Sequence, residues 1–200
     1  MINKEVFRHL ILPVTLRFEG GYANVPGDRG GETYQGISRR FNPDWPGWTI
    51  LDKYKPLIRG DMVNDTNLKI AVADLYFDKY FQKNQFHKFR FVLPALMGFD
   101  FAVHGGYNPE GLQNVLNTRF GQNLKTDGII GDVTLTALNA IDPVQLSHAI
   151  LDWRKAHLYG IIDKNPSQEK FLNGWENRLL YLRKLVNANK DYEREGDTKQ

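Results

Sequence analysis

Residues 18–36 read FEGGYANVPGDRGGETYQG. An apolar stretch runs into a single carboxylate, Glu19, and Gly20-Gly21 stops it. A polar, glycine-rich turn follows, carrying Asp28 and then Thr33. Upstream, Phe7, Leu10, Ile11, Val14 and Phe18 recur at helical spacing. The spacing predicts a helix over 3–19, kinked or split at Pro13 and closed by the two glycines. Glu19 then sits at the negative end of a helix dipole, flanked by Phe18 and Tyr22. Both influences favour its protonated form. Asp28, in a polar turn, is expected to stay ionised, and the Thr33 hydroxyl can donate and accept. A protonated Glu, an ionised Asp and a hydroxyl in one cleft can cleave a glycosidic bond. The glycines, Gly31 among them, let backbone approach a bulky ring. The plainer alternative is a helix-end Glu, a glycine cap and an Asp bonded to its own turn.

The rest of the chain reads as mainly α. Residues 22–65 carry no long helical period but many turn signals, with room for a short hairpin near 33–41. Helices are expected over about 66–83, with Leu68, Ala71, Val72, Leu75, Tyr76 and Tyr80 on the buried face, and over 94–104, nearly all apolar and hence central. Asn108-Pro109 reads as an N-cap with proline in the first turn, and Gly121 closes that helix. Residues 126–132 form a loop, and 134–139 a short helix. Asp142-Pro143 opens a helix to about residue 160. A last helix starts near Ser167, with Phe171, Trp175, Leu179, Leu182 and Val186 on one face. Residues 188–200 are a charged tail.

With 200 residues, 42% hydrophobic and 12% aromatic, the chain can bury a real core. A net charge of +3 suits an anionic partner without choosing one. There is no cysteine, so disulfides and Cys-ligated metals are excluded. The five histidines show no HExxH and no close pair, so no metal site is expected. No basic helix with interleaved aromatics is present, which argues against nucleic-acid binding; there is also no P-loop and no Gly-x-Ser-x-Gly nucleophile. Residues 1–21 lack the continuous apolar run of a signal peptide. Trp45 and Trp48, in PDWPGW, either stack on sugar faces or fill a small local core. His104 either caps a helix C-terminus or touches substrate, and Tyr107 is placed to border a cleft.

The stretch EGGYANVPGDRGGETYQGIS resembles the motif of the bacterial and phage N-acetylmuramidases of glycoside hydrolase family 108. Glu19, Gly20, Gly21, Tyr22, Asp28, Gly30, Gly31, Thr33, Gly36 and Ile37 carry the resemblance. FDFAVHGG, GLQNVLN, DGIIGDVTLTAL and FLNGWENRL resemble the peptidoglycan-binding region that follows it in such proteins. His104 stands where relatives often have Asn, Asp132 where Pro is frequent, and Tyr34 where many have Asn. The resemblance implies that Glu19 is the catalytic acid, with Asp28 and Thr33 assisting, and that no cofactor is needed.

The expectations are therefore these. The fold is mainly α and lysozyme-like, with a loop-rich insert that holds a small hairpin. Residues 1–90 form the catalytic segment and 91–187 a helical peptidoglycan-binding region, packed into one body. The activity is hydrolysis of the β-1,4 bonds of peptidoglycan, with Glu19, Asp28 and Thr33 catalytic. Tyr22, Gly31, Tyr34, Trp48, His104 and Tyr107 are the candidate substrate contacts. The protein is expected to be a monomer, made in the cytoplasm and acting on the wall after release, in the manner of a prophage endolysin. The alternatives are a non-catalytic peptidoglycan-binding protein and a glycosidase of another amino-sugar polymer such as chitosan.

Overall fold

The computed structural model describes residues 1–25, 27 and 30–188. The chain falls into two units, one of Lys4–Tyr80 and one of Met1–Asn3 with the chain from Phe81 onwards.

The first unit opens with α1 (Lys4–Val6), a π-helical turn at Phe7–Ile11 and α2 (Leu12–Leu16). The wide turn lies immediately ahead of Pro13, whose ring and missing N–H forbid a regular α-helical bond there. This is the split that Pro13 announces. α2 stops at Leu16 and two overlapping turns carry the chain to Glu19, which lies three residues past the helix rather than on its last turn. Three short strands, β1 (Tyr22–Asn24), β2 (Glu32–Tyr34) and β3 (Ile37–Ser38), make an antiparallel sheet in sequence order. Tyr22 faces Tyr34, and Tyr34 faces Ile37, so one face of the sheet puts three apolar side chains into the core. The β2–β3 turn has two positive-φ residues, Gln35 at 46° and Gly36 at 76°, the hairpin geometry that matches strand twist. α3 (Gly47–Leu51) follows; its five residues are too few to show a period in sequence. α4 (Thr66–Tyr76) begins at Asp65, whose side chain accepts from the Leu68 amide at 2.9 Å. It continues as a π-helical stretch, Phe77–Gln82. Leu68, Val72 and Tyr76 form its buried stripe, and Phe77 meets Phe7 edge-on at 5.3 Å.

The second unit is built on α5 (Val92–Val103), which is buried continuously from Val92 to Phe101. Gly98 is the notch in it: a Cβ there would lie 2.5 Å from the Phe86 ring. α6 (Pro109–Phe120) has the cap its sequence announces, the Asn108 side chain accepting from Gly111 N at 2.6 Å, and it ends at Gly121 with φ +64°. α7 (Asp132–Asn139), α8 (Pro143–Lys164) and α9 (Leu172–Ala188) complete the unit. The buried Gln113 of α6 holds the loop before α7. It donates to Asp127 Oδ1 and the Ile129 carbonyl, both at 3.1 Å, and accepts from Gly128 N at 2.9 Å.

Against α5, the α8 and α9 helices bring two guanidinium groups to one carboxylate. Asp100 is wholly buried; Arg154 Nη1 reaches it at 2.5 Å, and Arg178 binds with Nε at 2.9 Å and Nη2 at 2.7 Å. The two cations hold Asp100 below the usual carboxylate range although burial alone would raise it.

The mainly α fold with one small hairpin-based sheet is the expected class. On the last helix Leu179, Leu182 and Val186 are buried, whereas Phe171, read as part of the same face, is half exposed. It lies in a 3-10 turn (Pro166–Phe171), where the helical angle that would align it is lost.

Candidate functional site

Glu19 is placed by backbone alone. Phe18 N bonds to Thr15 O at 3.0 Å and Glu19 N to Leu16 O at 3.1 Å. Gly20 then turns the chain away at φ +69°. The half-buried Glu19 side chain lies under the β2–β3 turn. A Cβ added at Gly36 would stand 2.9 Å from Glu19 Oε2 and 2.7 Å from the Tyr76 hydroxyl. That hydroxyl donates to the Gln35 carbonyl at 2.7 Å and so fixes the turn over the carboxyl group. Tyr80 stacks on Tyr76 with centroids 5.6 Å apart. Burial raises the Tyr80 phenol above its ordinary value, and the negative charge of Glu19 raises it further. The group around Glu19 is thus Gln35, Gly36, Tyr76 and Tyr80.

The two tyrosines were legible only as members of an apolar stripe. Their signal is the repeat of a hydroxyl-bearing ring four residues apart on one helix face.

Thr33 lies in the middle strand, half-buried, between Ala23 and Ser38 in register; its hydroxyl donates to the Ala23 carbonyl at 3.4 Å. Asp28 lies outside the described residues. Gly31 adopts φ +62° with nothing within 4 Å of a would-be Cβ, so the turn requires glycine there and leaves the space beside it open.

Three proposed sugar contacts are core residues instead. Tyr34 is 2% exposed, and its hydroxyl receives Val63 N at 3.2 Å. Tyr22 is buried with its hydroxyl on Glu32 at 3.1 Å, and burial raises its pKa first. Trp48 is 2% exposed, edge-on to Trp45 at 4.9 Å, its indole N–H spent on the Asn42 carbonyl at 2.7 Å. In each case the polar tip found a partner inside, which is what lets a large aromatic be buried. The local-core reading of the tryptophans is the one the structure supports.

Glu32, a neighbour of Thr33 that the sequence did not single out, is held ionised. Although burial opposes it, Lys55 and Arg39 at 2.7 Å each, with Tyr22, keep its pKa low. The same cations bind Asp52, so the four groups close a charge-neutral ring.

His104 and Tyr107 belong to the second unit. His104 is the C-cap of α5, its amide bonded to Asp100 O at 3.1 Å. Burial, then the positive charges of Arg154 and Arg178, lower its pKa to about 4, so the ring is neutral near pH 7. The capping alternative is met by the backbone, not by a charged ring. The Tyr107 hydroxyl is buried, its ring against Phe86 and Trp153 at 4.9 and 5.8 Å. It faces its own core rather than a cleft.

A hollow of about 680 Å³ in the first unit is lined by Phe41, Trp45, Ile70 and Asp74 among others and includes none of the candidate catalytic residues. Its Asp74 is occupied by Lys4 and Arg8. Among the described residues no cluster of His, Asp and Glu is arranged to hold a metal, and no helix is long and apolar enough to cross a membrane.

Residues 12–106 match the family described as glycosyl hydrolase 108, and residues 110–180 match the one described as a predicted peptidoglycan domain. Among solved structures, that of Brucella abortus SagA superposes with a TM-score of 0.61 at 24% identity, covering 95% of this chain and 97% of that one. At that identity the likeness speaks for the fold. No curated protein matches the chain. The hydrolase match begins with α2, takes in Glu19 and the sheet, and ends at Gly106, just past His104; the second match covers α6 to most of α9. Residues 12–106 are thus similar to a glycosyl hydrolase 108 segment, and residues 110–180 to a predicted peptidoglycan domain that follows it.

Proposed function

We propose that this glycoside hydrolase cuts the β-1,4 bond between N-acetylmuramic acid and N-acetylglucosamine in peptidoglycan, with Glu19 as the general acid. The observation that carries the proposal is the seat of Glu19. It is a half-buried carboxyl inside the hydrolase match, roofed by the Gln35-Gly36 turn and set beside Tyr76 and Tyr80. A carboxyl so enclosed can hold a proton for a glycosidic oxygen and release it as the bond breaks. In this proposal Glu19 protonates the leaving oxygen, and Asp28 with the Thr33 hydroxyl holds a water on the opposite face of the sugar, which gives inversion. Glu32 is already committed to Lys55 and Arg39, which makes it a poor candidate for the acid. The enzyme is made in the cytoplasm and reaches the wall after release, a lytic role like that of an endolysin.

The test is mass spectrometry of purified peptidoglycan digested by the unaltered protein and by Glu19→Gln. The substitution keeps size and hydrogen bonding but removes the transferable proton. New muramic acid reducing ends are expected from the unaltered protein, with a fall in kcat of roughly 10²–10⁴ for the variant. A variant that keeps most of its activity would overturn the role of Glu19. Products ending in glucosamine would overturn the bond assignment.

A further inference from the structure

Gly21 has an ordinary φ, so the turn does not demand glycine. Space does: a Cβ there would stand 2.5 Å from the Asp61 carbonyl oxygen and 2.6 Å from that of Gly60. The second glycine of the Glu-Gly-Gly-Tyr stretch is therefore a notch into which a later segment docks. Tyr22 N donates to Asp61 O at 2.9 Å and Gly60 N donates to Tyr22 O at 2.8 Å, which fixes that segment beside the backbone three residues after Glu19. The segment is stiff in its own right. Asp61 N bonds to Ile58 O at 3.1 Å, the Asp61 carboxylate takes the Ile58 amide at 2.8 Å, and Gly60 supplies φ +95°. Beyond it, the Val63 amide is held by Tyr34.

A turn tied at so many points nevertheless exposes two large apolar side chains, Ile58 at 73% and Met62 at 61%, with the exposed Arg59 between them. Exposed apolar groups on a rigid support, tied to the backbone three residues after Glu19, fit a ligand contact better than they fit solvent. The pairing of apolar surface with one cation suits a ligand that carries methyl groups and carboxylates together. The acidic peptide stem of peptidoglycan has that chemistry along its length, whereas a strand stripped of its stems keeps only the one lactyl methyl and carboxylate on each muramic acid.

We propose that the 58–62 turn is the specificity element for the peptide stem of peptidoglycan. Ile58 and Met62 pack on its apolar groups, and Arg59 pairs with a carboxylate. The inference rests on the hydrolysis proposed above and names a contact of that same site.

The experiment uses the full chain and two variants, Ile58→Ser/Met62→Ser and Arg59→Ala. Substrates are peptidoglycan bearing its stems and the same glycan strands stripped of stems by an amidase. On stem-bearing material each variant is expected to raise KM by roughly tenfold with kcat held, while stripped strands are cut as before. The turn's role is overturned if KM is unchanged on both substrates, or if it rises equally on both, which would make the turn a reader of the glycan. It is also overturned if KM is unchanged and the protein self-associates through Ile58 and Met62. The same substitutions are placed in Glu19→Gln protein, and its binding is measured by co-sedimentation with the stem-bearing wall and by retention on stripped strands coupled to beads. A stem-dependent loss of binding supports the turn's role even if the unaltered protein releases no muramic ends, a result that would sink the hydrolysis alone.

Discussion

Removing the Asp100 carboxylate is the most severe single perturbation the fold allows. Asp100, Arg154 and Arg178 have side-chain exposures of 0%, 1% and 7%, so water cannot replace what is lost. Asp100→Ala leaves two buried guanidinium groups facing each other. Breaking a buried pair in this way costs about 3–5 kcal/mol. Charge-assisted hydrogen bonds taken singly would give more, about 1.5–3 kcal/mol each, but they share one acceptor group and do not add. Against a total stability of about 5–15 kcal/mol, the loss is a large share. Urea denaturation followed by helical circular dichroism should show it, with a melting temperature lower by about 6–20 °C. The control replaces the whole cluster: Asp100→Leu with Arg154→Met and Arg178→Leu should recover much of the stability, because an apolar substitute avoids desolvating three charges. A loss below about 1 kcal/mol for Asp100→Ala would refute the reasoning, since it would mean that the arginines find other partners without cost. The pH dependence follows from the depressed folded pKa. This carboxylate's contribution is complete above the unfolded value of about 3.9 and is lost as pH falls through the lower folded value.

His104 gives a second, higher window. Its folded pKa of about 4 lies below the ordinary histidine value of 6.5, so stability from keeping it neutral is present above 6.5 and drains away towards pH 4; Arg154, Arg178, Asp100 and His157 are the charges it senses. Thermal melts at pH 7.5 and 5 should differ more for the unaltered protein than for His104→Asn. Gly36→Ala should lower stability by about 1–3 kcal/mol, because alanine resists φ > 0, and should cut wall hydrolysis more than tenfold, because its methyl displaces Glu19 Oε2 or the Tyr76 hydroxyl; the melting curve and the lysis rate separate the two effects.

Local chemistry was readable where one residue type dictates one geometry. Asn108-Pro109 and Gly121 bracket α6 because a side-chain cap and a left-handed residue leave little choice. Pro13 splits its helix for an equally local reason. α5 starts at Val92, two residues ahead of the expected 94, because Phe91 caps it without a side-chain hydrogen bond and so leaves no mark in the sequence. Glu19, Thr33 and Gly36 stand together in one short stretch and can be picked out as candidates from it, whereas the tyrosines over the Glu19 carboxyl group cannot, since Tyr76 meets Gln35 across 41 residues. Tyr34 and Trp48 misled for a related reason: an aromatic ring in a polar loop invites a ligand until its hydrogen-bond partner is located. Asp100 finds its arginines 54 and 78 residues away, a distance over which no periodicity carries information.

The burial of α5 on every side has a consequence for motion. A helix with one wet face can fray and exchange its amide protons while its neighbours stay in place. From Val92 to Phe101 no such face exists, and the helix is pinned at Asp100 by two other helices. Its amides can meet deuterium only when the unit opens as a whole, so their exchange rates should converge on one slow value that reports the cooperative opening of the unit. The short strands and the turn over Glu19 have no continuously buried helix of this kind, so the segment proposed above to meet the substrate should exchange sooner than α5.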